Sequence, residues 1–262
     1  MAASARSRAL AILPPLLIVG LLLAAWQLYA NLSGIGNDVL PAPSRVLSVS
    51  WDNRGDLWDN TLPTLRATVL GFGLAIAVGL ALAVLVDSSA ALRRALMPVL
   101  VSTQTLPIIA IAPLMVLWFG FGLTPKVLLV ALVTFFPITV SLSEGFASSD
   151  PEAEALLRSM GASRARIFRS VRFPSAMPFF FAGLRIAITY AVVAAIFAEY
   201  AGASEGLGIY MQNAKNSFRT DLVLAAVIVS ALLTLALFAL TYLVERLAIP
   251  WYRLSRRGGR QT

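Results

Sequence analysis

Long uncharged apolar runs constrain this chain more than any other feature. No charge separates Arg8 from Asp38, and Ala9 to Leu32 is almost wholly apolar. Ala67 to Val86 carries no charge, and neither does Ala95 to Pro125. A helix that crosses the hydrocarbon core of a bilayer needs about 20 such residues. Further runs lie at Val127 to Ser143, Met177 to Tyr200 and Leu222 to Val244, the last extending to Ile249. The pattern predicts an all-α polytopic membrane protein with six transmembrane helices. Composition agrees, because only 13% of the residues are charged where soluble domains average about 25%. The first run exceeds the roughly 7–15 apolar residues of a cleaved signal core, so it reads as a retained anchor.

The connections are informative as well. Asn31 to Arg66 is polar and turn-rich and reads as an external loop, with a short interfacial helix near Ser44 to Trp51. Arg93 and Arg94 fall in a short loop, and Gly202 to Thr220 reads as a second polar outer loop. The third span, Pro98 to Gly120, contains Pro107 and Pro113 and the polar run Ser102-Thr103-Gln104-Thr105. Prolines free backbone carbonyls, which a membrane tolerates only against protein or water, so an irregular helix is expected here. In the second span Gly71, Ala75 and Gly79 recur every four residues, a spacing that lets a neighbouring helix approach closely.

Placing the N-terminus inside assigns fourteen basic residues to internal segments and six to external ones. Lys and Arg accumulate on the cytoplasmic side, which puts both termini there. The net charge of +8 is therefore read as an orientation signal and not as a nucleic-acid surface. The sequence has no Cys and no His, which removes thiolate and imidazole chemistry. A membrane enzyme would have to work with scattered carboxylates, and neither a cofactor nor a metal is expected. Three regions follow: an anchor and external loop over 1–60, a transmembrane domain over 61–249, and a basic cytoplasmic tail over 250–262.

The segment Asp150 to Pro174 is the longest charged internal stretch. Asp150 can cap a helix with Pro151 at its first position. Glu152 and Glu154 suit the positive end of the helix dipole. Gly161 suits a left-handed C-terminal turn, and Ser163 can cap a second helix running to Pro174. The expected unit is a helix–glycine–helix at the inner membrane surface, with Leu156, Leu157, Met160, Ile167, Phe168 and Val171 on an apolar side. It either lies on anionic headgroups or docks a cytoplasmic protein.

The second reading gains from a resemblance. Gly161-Ala162, Ile167-Phe168, Val171 and Pro174 resemble the coupling-helix signature of permeases in binding-protein-dependent ATP-binding-cassette importers. The glutamate of that signature would fall at Ala155, and Glu154 stands one residue earlier. Leu40-Pro41-Ala42-Pro43, Gly71-Phe72-Gly73, Trp118-Phe119-Gly120 and Gly206-Leu207-Gly208 are similar to the nitrate, sulfonate and taurine branch of those permeases. Within it, residues 156–187 and Lys215 to Asp221 look most like permeases for thiamine-precursor pyrimidines. The resemblance implies the type I importer fold and two copies of this chain around one path. It also implies a dimer of separate cytoplasmic ATPase subunits and a periplasmic or lipid-anchored substrate-binding protein. Glu154, Ala155, Gly161, Ala162, Ile167, Phe168 and Pro174 would then couple to the ATPase. The sequence contains no Gly-x-x-x-x-Gly-Lys-Ser/Thr loop with which to cradle ATP phosphates itself.

Ionisable residues inside spans are expensive and therefore candidates for function. Arg185 and Glu199 are two, separated by about 21 Å along one helix, too far to pair directly. Thr103, Gln104 and Thr105, with Tyr190, can line a polar path. The alternative for Arg185 is a snorkelling or inter-helix structural pair, for Glu199 a plain interfacial position, and for the other four helix–helix hydrogen bonding.

Overall fold

A computed structural model describes residues 2–250, with side chains described from Leu13 onward. Among the described residues every regular element is helical. The elements are α1 (Ala2–Leu32), α2 (Pro43–Asp52), α3 (Arg54–Ser88), α4 (Ala90–Thr103), α5 (Ile108–Phe119) and α6 (Leu123–Ala147). They are followed by α7 (Pro151–Ser159), α8 (Arg164–Ile167), a π-helical turn (Phe168–Arg172), α9 (Phe173–Tyr200), α10 (Leu207–Asn216) and α11 (Thr220–Ala248). Among the described residues five helices are long and apolar enough to cross a membrane, and α4 with α5 makes a sixth if that bent pair counts as one crossing. The expected basic tail and the side chains of Arg6 and Arg8 lie outside the described residues.

The chain divides into two compact units. One comprises residues up to Asp59 together with Tyr210–Val229. There Asp221, almost fully buried, caps α11 through the Leu222 N–H and binds both Arg219 (2.9 Å) and Arg45 of α2 (3.3 Å). The Ser44 N–H donates to the Gln27 side chain at 3.0 Å, tying α2 to α1. The expected interfacial helix is α2, and Pro43 at its first turn explains where it starts.

The second unit comprises Asn60–Ile209 and the residues from Ser230 onward. Its centre is α6 against α9 and α3. Apolar burial gains little in lipid, so small residues and van der Waals contact hold such helices. A Cβ on Gly71 would stand 2.5 Å from Val130, and one on Gly79 would stand 2.9 Å from Ile138. Ala75 between them is fully buried. The four-residue spacing is therefore the contact face of α3 on α6. Gly79→Val is expected to destabilise the protein by about 1–3 kcal/mol, the cost of overpacking. A lower thermal-inactivation midpoint in detergent would register it.

Several boundaries differ from the sequence expectations. The polar segment before Arg66 is helical from Arg54 onward, and its Thr64 is buried with the hydroxyl bonded to Glu199. Arg93 and Arg94 lie within α4, whose N-terminus is capped by Ser89 accepting from the Ala91 N–H. Gly202 to Thr220 contains α10. The third span is irregular as expected, and it is sharply broken: α4 and α5 meet at 95°. Pro107 lacks the N–H that would continue α4 and disfavours helical geometry at Leu106. At 1.5 Å per residue α4 and α5 are about 21 and 18 Å long, so neither crosses a bilayer alone.

The helix after Gly161 does not stop at Pro174. It continues from Arg164 to Tyr200 as one 37-residue span. A proline at that position would collide with the carbonyl four residues back in a regular α-helix. The π-helical turn just before it, with the Phe173 N–H bonded to the Phe168 carbonyl, widens the helix there.

Candidate functional site

The segment from Asp150 to Arg172 is built as its residues dictate. Asp150 Oδ1 accepts from the Glu152 N–H at 2.9 Å and fixes the start of α7. Gly161 takes a φ of +78°, and the Ala162 N–H reaches back to the Leu157 carbonyl at 2.9 Å. That is the glycine-terminated helix end expected from the sequence. Ser163 Oγ accepts from the Arg166 N–H and starts α8.

The apolar residues of this segment face two ways. Ile167 is 4% exposed, and Phe168 packs on Phe146 and Phe173 with ring centroids 5.3 and 6.1 Å apart. These two sequence candidates are thus anchors to the bundle and do not offer a free surface. Leu156 on α7 and Met160 at its C-cap are 62% and 72% exposed. They form an apolar tip beside the exposed Ala155 and Gly161. Ala162 and Pro174 are half-buried.

Behind the tip is an open cleft of about 1150 Å³, lined among others by Asp87, Glu154, Ala162, Ile167, Phe168 and Arg172. Glu154 accepts from the Ser149 hydroxyl at 2.6 Å and from Arg158 at 3.3 Å. Its Oε1 also lies 3.3 Å from Arg172 Nε, an ion pair without hydrogen-bond alignment. Arg172 in turn donates to Asp87 at the end of α3 (2.8 Å) and to the Phe146 carbonyl in the last turn of α6 (3.2 Å). Asp87 was not singled out from the sequence. Its only local signal is position, the first charge after the second apolar run.

Four of the proposed path residues meet. Thr103, Gln104 and Thr105 at the α4–α5 break, with Tyr190 of α9, line a groove of about 460 Å³ whose walls include Ile108 and Leu132. The hydroxyls of Thr103 and Thr105 donate to carbonyls of their own helix, at 2.6 and 2.8 Å. The Gln104 amide and the Tyr190 hydroxyl have no such partner among the described residues, which leaves their donors unpaired in the groove. Trp118 and Phe119 are exposed and lie outside this groove.

Arg185 and Glu199 do not line the groove. Arg185 pairs with Glu245 of α11, which makes it the inter-helix ion pair that was its alternative. Glu199 is fully buried at the other end of α9. Its carboxylate accepts from the Thr64 hydroxyl (2.7 Å) and the Gly208 N–H (2.7 Å). Thr64 Oγ1 accepts from the Leu207 N–H (2.9 Å), and Asn60 accepts from the Gly206 N–H (3.0 Å). Three successive backbone donors at the start of α10 are thereby satisfied by α3 and α9. The Gly206-Leu207-Gly208 motif follows from this clamp. A Cβ on Gly206 would stand 2.3 Å from the Glu199 carboxylate, and one on Gly208 would stand 2.5 Å from the Ile196 carbonyl.

The sequence profile of the family described as "Binding-protein-dependent transport system inner membrane component" matches residues 73–250. The chain is 36% identical to the formylaminopyrimidine transport permease protein ThiX of Halalkalibacterium halodurans, over 91% of this chain and 96% of that protein. It is 39% identical to the riboflavin transport system permease protein RibX of Chloroflexus aurantiacus, over 88% of this chain and 87% of the relative. A solved structure of the MetNI methionine ABC transporter, in inward-facing conformations, superposes with a TM-score of 0.64. It covers 76% of this chain and 97% of its own at 18% identity, a likeness of fold.

Proposed function

The chain belongs to the family of binding-protein-dependent transport system inner membrane components, and from that premise we propose that it carries a small flat solute, a thiamine-precursor pyrimidine, through the groove at Gln104 and Tyr190. It is a multi-pass inner-membrane permease of an ABC importer with the type I fold. Two copies enclose the path, ATP is hydrolysed on separate cytoplasmic subunits, and a periplasmic or lipid-anchored binding protein delivers the solute. Both termini face the cytoplasm, and α7 meets the ATPase on that side.

The observation that carries the coupling part is the exposed apolar tip of Leu156 and Met160, held by a capped helix and a glycine turn. Exposed apolar surface on a short helix outside the long apolar spans marks a docking site. The tip supplies a contact through which ATP-driven closure of the motor subunits can reorient the spans. This chain performs no covalent step.

The solute class rests on the groove. A pyrimidine presents flat faces and an edge of alternating donors and acceptors. The Gln104 amide offers one donor–acceptor pair, and the Tyr190 ring offers a stacking surface. A nitrate, sulfonate or taurine route would need cations. The groove contains none, and Arg185 is engaged by Glu245. Gln104→Ala is expected to weaken solute-dependent uptake about tenfold, the loss of one or two hydrogen bonds. Tyr190→Ala is expected to do the same, while Tyr190→Phe keeps the stacking and stays within about threefold. Initial uptake rates in proteoliposomes, with labelled formylaminopyrimidine, taurine and nitrate as competing solutes, test the assignment. Uptake of an anion in preference to the pyrimidine overturns it. A channel without a motor would instead give uptake that is indifferent to ATP.

A further inference from the structure

We infer that Arg172 fastens the α7 docking tip to the neighbouring ends of α3 and α6, so that a push on α7 is delivered to those spans and not absorbed in the loop. The inference rests on the reading of α7 as the motor contact and goes beyond it by naming the transmitting residue.

Five side chains of alternating sign form a line at this end of the bundle. Arg93 of α4 lies 3.8 Å from Asp87 of α3, and Asp87 lies 2.8 Å from Arg172 in the π-helical turn. Arg172 lies 3.3 Å from Glu154 of α7, which pairs at 3.3 Å with Arg158 one turn on. The ends of the line are in solvent: the side chains of Arg93 and Arg158 are 41% and 70% exposed. Exposed pairs of that kind contribute little. The centre is sheltered, with Asp87 at 8%, Glu154 at 16% and Arg172 at 26%. Sheltered charges are costly to leave without a partner.

Arg172 is the one member that touches three other elements. It reaches Asp87 on α3, Glu154 on α7 and the Phe146 carbonyl on α6. A guanidinium can serve all three because its donors fan out in a plane, and the carbonyl end of α6 favours the positive charge. The π-helical turn places it there, on the same stretch that carries Phe168 onto Phe146. Without Arg172, Asp87 would retain only the 3.8 Å contact to Arg93, and α7 would lose its polar tie to α3.

The sequence lacks cysteine, so spin labels can be placed at Ser88→Cys and Ser159→Cys, exposed positions on α3 and α7, without removing native thiols. In the assembled transporter in proteoliposomes, pulsed spin-label distances should give one narrow separation that is the same with and without ATP. Arg172→Ala should broaden it and raise the ATP hydrolysed per solute imported at least about fivefold, the lower end of ordinary coupling effects. Asp87→Ala combined with Arg172→Ala should be no worse than Arg172→Ala alone, as expected for residues acting through one link. Arg172→Gln, which keeps a donor for Phe146 without the charge, serves if the alanine variant does not reach the membrane. An unchanged ATP-to-solute ratio in the Arg172 variants overturns the inference, as does a wild-type separation that shifts between nucleotide states. The same distance measured in the isolated chain in nanodiscs separates this result from the docking reading. Broadening by Arg172→Ala there supports the fastening even where no ATPase binds, and a separation indifferent to Arg172→Ala refutes it.

Discussion

Aspartate at both Leu156 and Met160 is expected to abolish ATP-dependent uptake while leaving the amount of chain in the membrane unchanged. Both side chains are exposed and take little part in holding the bundle together, so their replacement costs little folding energy. At a protein interface, by contrast, one buried apolar anchor is worth about 2–4 kcal/mol. Two charged replacements there should weaken the complex with the ATPase by about 100-fold or more. Co-purification with the ATPase, followed by uptake in proteoliposomes, measures both. Retention of a stoichiometric ATPase by the double variant would show that α7 does not dock it. If α7 lay on headgroups, the same variant would lose affinity for anionic vesicles and keep its ATPase.

Removing the carboxylate of Glu199 should be the most damaging single change to stability. Glu199→Ala leaves the Gly208 N–H buried without an acceptor and takes the closer of two acceptors from the Thr64 hydroxyl, which keeps only the Asn60 carbonyl at 3.2 Å. One orphaned buried group costs about 1–3 kcal/mol, and with the weakened Thr64 bond adding about 1 kcal/mol, roughly 2–4 kcal/mol is expected in all. For a chain of this length that is a fall of roughly 5–10 °C in the thermal-inactivation midpoint in detergent. Glu199→Gln keeps one acceptor and should lose about half as much. Gly206→Ala should fall in the same range, because its Cβ needs the space the carboxylate occupies. Midpoints for the three variants that match wild type would remove the clamp from the account of this end of the bundle.

The long spans were legible because lipid imposes one simple rule on composition and length. The broken third span was legible too, since proline cannot donate and Pro107 sits beside a polar run. The end of the helix after Gly161 was not, because a π-helical turn carries the backbone smoothly into Pro174 and no local residue pattern announces such a turn. The roles of Ile167 and Phe168 were half legible. Periodicity marks them as apolar, but only the fold tells that Phe146 is the surface they meet. Thr103, Gln104, Thr105 and Tyr190 share polarity within apolar spans, and the fold lines one groove with all four. Arg185 and Glu199 have the same signature and serve as structural bonds. Their partners, Glu245 and Thr64, lie 60 and 135 residues away, beyond any local reading.

The unbroken helix from Arg164 to Tyr200 has a mechanical corollary. At 1.5 Å per residue its 37 residues make a lever about 55 Å long. Each degree of swing at the Arg164 end displaces the Tyr200 end by about 1 Å, with no joint between them to dissipate it. A tilt of this helix pivoting beside α8 would therefore be geometrically magnified at the buried carboxylate that grips the first turn of α10.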